Sequence, residues 1–212
     1  MNNSINKHWN FFYKNITYNE PSNFSKFIIR WLIRNNIKFE NKKIIDVGCG
    51  NGRDSNYFYK NKFHVTGFDL SKTAINNNIK FNNKIKFVQK DICKDIEYKS
   101  NYNFLYARFF IHAITEKQQK IFFNNCNKLL SKKNSFIFLE FRTIKDPLIK
   151  KGKKISKNER VFGHYRRFID VKKFKEMLIN LKLNIVYSRE SYRFAIYNNE
   201  VPHISRIIIK NK

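Results

Sequence analysis

The 212-residue sequence has only three cysteines, Cys49, Cys93 and Cys126, too scattered for a disulfide framework or for the paired spacing of a zinc module. They read as reduced thiols in a cytoplasmic protein. No His/Cys/Asp/Glu spacing marks a metal site. Long uncharged apolar runs are also missing, so nothing reads as a membrane span. The start, Met1-Asn2-Asn3-Ser4 leading into His8-Trp9-Asn10, lacks the basic-then-apolar layout of a signal peptide. Acidic residues are scarce: 16 Asp and Glu face 43 Lys and Arg, a formal net charge of +27. Such a surplus invites a nucleic-acid partner. The lysines, however, spread along the whole chain without a dense block and mix with asparagine and isoleucine, as an AT-rich genome favours. The charge is therefore read as compositional, with a general attraction for anions.

What is present suffices for a core. Hydrophobic residues make up 42% and aromatic residues 17%, and the length fits one domain. Residues 1–20 form a polar and aromatic leader. Trp9 and Tyr13, four apart, share one face of a short helix there, as a lid or as a hydrophobic anchor. Residues 21–212 form the domain proper, without internal repeats. Pro21-Ser22 opens a helix whose Phe24, Phe27, Ile28, Trp31 and Leu32 recur at helical spacing. Strands are predicted at Lys43–Val47, Phe63–Phe68, Ile85–Gln89, Asn103–Ala107, Ser135–Phe141, Leu183–Glu190 and Ile204–Lys210. Helices are predicted over Asp54–Asn61, from the cap Ser71 to Lys80, from Thr115 to Leu130, and from the cap Asp170 to Leu181. An irregular basic stretch fills 145–160. Alternating strands and helices imply an α/β fold, a mostly parallel, doubly wound sheet with helices on both faces.

The informative stretch is Ile44-Ile45-Asp46-Val47-Gly48-Cys49-Gly50-Asn51-Gly52. An apolar strand delivers a carboxylate, then three alternating glycines precede a helix. Glycine admits positive φ and lets backbone amides approach a ligand. The helix start adds free N–H groups and partial positive charge, suited to a ligand's carboxylate. Asp69 ends the second strand 17 residues beyond Gly52, where a carboxylate can accept both hydroxyl hydrogens of a ribose. A dinucleotide loop, G-x-G-x-x-G, would need glycine at position 53, which is Arg53. Nor does a pyrophosphate loop have use for Asp46, whereas a cationic amino group does.

Over residues 20–210 the chain resembles the class I methyltransferases that use S-adenosylmethionine (SAM), through Asp-Val-Gly-Cys-Gly-Asn-Gly at 46–52. The resemblance implies a Rossmann-like seven-stranded sheet and SAM as cofactor. By position, Gly48, Cys49, Gly50 and Gly52 would wrap the methionine part and Asp46 would support its ammonium through water. Asp69 would hold the ribose and Leu70 flank the adenine. Asp91 and Ile92 would meet the adenine amino group, and Ala107 and Arg108 would lie beside the sulfonium. The continuation Gly52-Arg53-Asp54-Ser55 is similar to a small-molecule branch that includes tellurite-resistance and surface-polysaccharide-cluster methyltransferases.

The acceptor is less legible. Enzymes that methylate exocyclic amines carry an Asn/Asp-Pro-Pro-Tyr/Phe motif after strand four; Ala107-Arg108-Phe109-Phe110-Ile111-His112 stands there instead, which disfavours base N-methylation. Arg108, His112, Glu140, Arg142, His164, Arg166 and Arg167 fall at strand ends or loops on the side where open α/β sheets bind ligands. An arginine ~6 Å from a sulfonium costs roughly 3 kcal/mol at an effective dielectric of about 20, so it needs an anion. Either Glu140 or an anionic acceptor can supply it for Arg108. His112 is a candidate general base for a hydroxyl acceptor, or a helix-cap residue before Thr115. His164, in a loop Gly163–Arg167, and the arginines around it are candidates for acceptor binding and catalysis, as guanidinium suits phosphate and carboxylate. His8, His64 and His203 are read as structural. The expected activity is O-methylation of a small anionic metabolite or glycan precursor. RNA methylation and a non-catalytic SAM-binding module are the alternatives, and no oligomeric state is assigned.

Overall fold

The computed structural model describes residues 2–14, 20–97, 100–131 and 134–211; of the expected leader, residues 1 and 15–19 lie outside them. Five strands run parallel: β1 (Lys43–Val47), β2 (His64–Asp69), β3 (Lys86–Gln89), β4 (Phe104–Arg108) and β5 (Phe136–Arg142). A separate three-stranded antiparallel sheet follows, β6 (Lys153–Ser156), β7 (Glu159–Phe162) and β8 (His164–Arg167). The chain then returns through β9 (Asn184–Ser191) and β10 (Ile204–Lys210), which joins the main sheet antiparallel to β5 and β9. The main sheet is seven-stranded, in the order β3-β2-β1-β4-β5-β10-β9. That is the Rossmann-like arrangement the sequence implied.

Period-two alternation of apolar side chains places helices on both faces. Ile45 and Val47 of β1, Leu105 and Ala107 of β4 and Leu139 of β5 enter one core; Ile44, Phe104, Tyr106 and Phe138 enter the other. The first core is covered by α5 (Glu116–Leu129) and α6 (Val171–Asn180), through Phe122, Leu129, Phe174 and Leu178. The second is covered by α2 (Asn23–Arg34), α3 (Arg53–Lys60) and α4 (Lys72–Phe81), through Phe24, Leu32, Phe58 and Ile75. A further helix, α1 (Asn2–Phe12), lies near α4 and β8. The caps read from sequence, Ser71 and Asp170, form, and Ser22 and Thr115 cap their helices as well; each accepts a backbone N–H of the first helical turn.

Two expectations are corrected. The stretch 145–160 is not irregular, since it holds β6 and the start of β7. Gly163–Arg167 is not a loop but the turn and strand β8. All four β6 residues are exposed, so no alternating apolar pattern marks the strand. No helix among the described residues is long and apolar enough to cross a membrane.

Candidate active site

The strand order reverses between β1 and β4, and the crevice at their carboxyl ends is where such sheets bind ligands. β1 delivers Asp46 there, and the glycine loop turns the chain into α3. Gly50 and Gly52 have φ of +53° and +71°, and each is hemmed in as well as left-handed. A β-carbon on Gly52 would stand 2.7 Å from Asn78 Oδ1, and one on Gly50 would stand 2.5 Å from the Tyr13 hydroxyl. Asn78 also donates to the Gly50 carbonyl at 2.8 Å, fixing the loop from α4.

Two buried carboxylates face this loop. Asp46 accepts the Ser55 hydroxyl at 2.6 Å. Burial, followed by repulsion from Asp54, pushes its pKa up to about 8, so it is poised to ionise when a cation arrives. Asp69 accepts the Gly50 amide on Oδ2 at 2.9 Å and the Ser71 amide on Oδ1 at 2.8 Å. Burial raises its pKa and these amides restrain the rise. Each oxygen keeps acceptor capacity for one hydroxyl, as a ribose diol requires. Asp54, the acid of the Gly-Arg-Asp-Ser continuation, has a different task. It accepts the Ser22 amide and hydroxyl, the Ser25 hydroxyl and the Tyr106 hydroxyl at 2.7–2.8 Å, locking α2 and β4 to α3.

The other residues assigned to this pocket are placed less directly. Gly48 and Cys49 both donate their amides to the Phe68 carbonyl, at 2.8 and 3.0 Å. The Cys49 thiol lies in the core, close to Gly67. Leu70 is half-buried and its carbonyl accepts from Gln89. Asp91 accepts the Cys93 amide, while Ile92 and Ala107 bury their side chains in the first core.

On the acceptor side, Arg108 donates to Glu140 at 2.9 Å, and Arg206 donates to the other oxygen of Glu140 at 2.7 Å. Glu140 is fully buried and bridges the two arginines, so the Glu140–Arg108 pair, one of the two expectations for Arg108, is formed. Arg206 carried no sequence signal; it meets Glu140 only because β10 pairs with β5. Arg142 is likewise engaged, by Asp146 at 2.9 Å and Glu200 at 2.6 Å. Arg167 donates to the Ile114 carbonyl and to Gln119. Phe109, overlooked in the sequence, has φ +56° and lies 4.3 Å from the Arg108 guanidinium carbon. A non-glycine residue in that region is strained, here at the end of β4 where the crevice opens.

His112 is buried, and its Nδ1 accepts the Arg142 amide at 3.2 Å. The ring proton therefore sits on Nε2, and the imidazole offers a donor rather than the free base expected. Burial and then Arg142 hold its pKa well below the usual histidine value. His164 is pushed down to about 3, by burial and then Arg166. Both rings are neutral at pH 7. His164 contacts Trp9 and His8, with ring centroids 4.7 and 5.0 Å away. α1 is anchored across the crevice: Asn10 accepts from the Ser71 hydroxyl at 2.7 Å and the Thr73 amide at 3.2 Å, and Asn77 donates to the Tyr13 carbonyl.

A seven-stranded sheet with an acid–glycine loop at its reversal point and a second acid after β2 is an α/β architecture suited to a ligand that carries a cation and a diol. The methyltransferase domain family model matches residues 38–188, and the chain belongs to that family. It is 38% identical over 76 residues to a tRNA U34 carboxymethyltransferase of Nautilia profundicola; the match spans 34% of this chain and 22% of that longer protein. Among solved structures, a SAM-dependent methyltransferase from Anabaena variabilis superposes with TM-score 0.71 at 19% identity, covering 100% of this chain and 95% of its own. A TehB-like SAM-dependent methyltransferase from Corynebacterium glutamicum gives 0.65 at 16% identity, covering 90% and 88%. The chain thus carries a methyltransferase domain. The residues present fit SAM as its cofactor: Asp46 is a buried carboxylate suited to a cation, Asp69 keeps acceptor capacity for a diol, and Gly50 and Gly52 have no room for a β-carbon.

Proposed function

We propose that the enzyme methylates an oxygen of a small anionic acceptor, a metabolite or a surface-glycan precursor, in the cytoplasm. The observation carrying this is Arg166. It lies beside His164 on β8, its side chain donates to the Phe162 carbonyl at 2.5 Å, and among the described residues no carboxylate lies within ion-pair distance of it. Burial, then the Arg142 charge, pulls its pKa down to about 10, against the opposing pull of Glu200 and Asp146. An acceptor anion would offset that burial and be held beside the lid.

SAM supplies an electrophilic methyl on a sulfonium. Asp46, Gly50, Gly52 and Asp69 would hold it, and α1 acts as a lid, with Tyr13 over the glycine loop and Trp9 over His164. Residues 1–20 are thus the lid segment and 21–212 the catalytic domain. Arg166 would hold the acceptor's anionic group, so that its oxygen would face the methyl that bound SAM would supply. His112 contributes as a hydrogen-bond donor within the arginine cluster; an acceptor that is already anionic needs no base, and alignment with exclusion of water carries the step.

An RNA acceptor is the second reading, favoured by the likeness to a tRNA U34 carboxymethyltransferase and by the +27 charge. Labelled SAM offered with total RNA, with DNA and with a small-molecule extract decides. The proposal expects label in the small-molecule fraction; labelling of RNA alone at physiological salt overturns it.

A further inference from the structure

The small sheet sets three cations abreast. Lys154 is the register partner of Arg160 across β6 and β7, and Arg160 of Arg166 across β7 and β8. Partners in antiparallel strands share a face with β-carbons about 5 Å apart, and like charges there destabilise the sheet. The one acid between residues 147 and 169, Glu159, is the register partner of Arg167 on the opposite face, where it accepts the Tyr165 hydroxyl at 2.5 Å. Arg160 spends one nitrogen on the Ser156 and Glu159 carbonyls, at 2.7 and 2.8 Å, and Arg166 spends one on Phe162. Among the described residues neither has a carboxylate partner, and each guanidinium keeps donors in hand.

Lysine on an exposed edge strand commonly serves to prevent strand pairing, which accounts for β6 alone. It does not account for Arg160 on the central strand or Arg166 on the inner one. His164 shares their face and is the partner of Phe162. Next to it, His8 Nε2 is buried without a hydrogen-bond partner. The row therefore runs from the outer edge of the small sheet to the lid.

We propose that Lys154, Arg160 and Arg166 bind a diphosphate group of the acceptor. This rests on the anionic-acceptor reading and narrows its chemistry. Three strands span about 9.5 Å, which suits an anion extended over two centres. A single carboxylate offsets one arginine, whereas two linked phosphoryl groups present enough charge and oxygens for three cations and match the guanidinium fork. Binding energy gathered there, away from the reacting oxygen, positions the acceptor under the lid.

The test is calorimetric titration of inorganic pyrophosphate and malonate into the S-adenosylhomocysteine-bound protein at fixed ionic strength. Wild type, Arg160→Met, Arg166→Met and, as a charge-matched control on exposed α5 surface, Lys120→Met are compared. Pyrophosphate is expected to bind wild type at least tenfold tighter than malonate. Arg160→Met and Arg166→Met should each weaken it at least tenfold, and Lys120→Met less than twofold. Equal affinities for the two anions, or equal losses in all three variants, overturn the diphosphate. If malonate alone depends on Arg166, the diphosphate fails while the anionic acceptor stands; if neither anion depends on Arg166, both fail. The wild-type comparison decides the first point even where a variant does not fold.

Discussion

The phenol of Tyr13 lies over Gly50 so closely that a β-carbon on the glycine would stand 2.5 Å from its hydroxyl. The N-terminal segment and the glycine loop are therefore fitted to one another, and a change in one should be felt through the other. Gly50→Ala should weaken SAM binding more than tenfold. Adding Tyr13→Phe should recover only part of this, because the φ of +53° still costs an alanine about 1 kcal/mol. Full recovery in the double variant would show that the clash alone matters; no change in Gly50→Ala would place the cofactor elsewhere.

Glu140, buried between Arg108 and Arg206, predicts an asymmetry in stability. Glu140→Gln should cost on the order of 3–5 kcal/mol in chemical denaturation, since it leaves two guanidiniums without their counter-charge. Arg108→Met should cost less. Combining it with Glu140→Gln should not rescue it, because buried Arg206 still loses its partner. Rescue would mean that Arg206 does not depend on Glu140.

Asp46 makes a pH prediction. Its folded pKa, pushed up to about 8, lies above the unfolded value near 4, so the folded protein holds the proton more tightly. Its contribution to apo stability is complete below pH 4 and is lost as pH rises towards 8. Binding a cationic ammonium favours the ionised form, so SAM affinity should rise from pH 6.5 to 8 in wild type and be flat over that range in Asp46→Asn. Titration at several pH values checks this, and a rising profile in Asp46→Asn would assign the dependence to another group.

The sheet and cofactor loop were legible because their signals are local. Buried strands such as β1, β4 and β5 read as apolar runs, caps sit one residue before their helices, and an acid followed by spaced glycines has few other uses. The small sheet was not legible, since its first strand is exposed on both faces and lacks periodicity. Partners brought together by distant pairing were hidden too. Arg206 reaches Glu140 from 66 residues away, and Trp9 reaches His164 across the crevice. His112 showed its residue type but not its tautomer, which depends on the Arg142 amide.

The most direct measurement is calorimetric binding of SAM to wild type and to Asp69→Ala. Asp69 accepts the Gly50 and Ser71 amides and is placed to take both ribose hydroxyls. Its loss should weaken binding by on the order of 2–3 kcal/mol, about 30- to 150-fold, with the fold retained by circular dichroism. A folded Asp69→Ala protein that binds SAM within threefold of wild type would contradict the cofactor site.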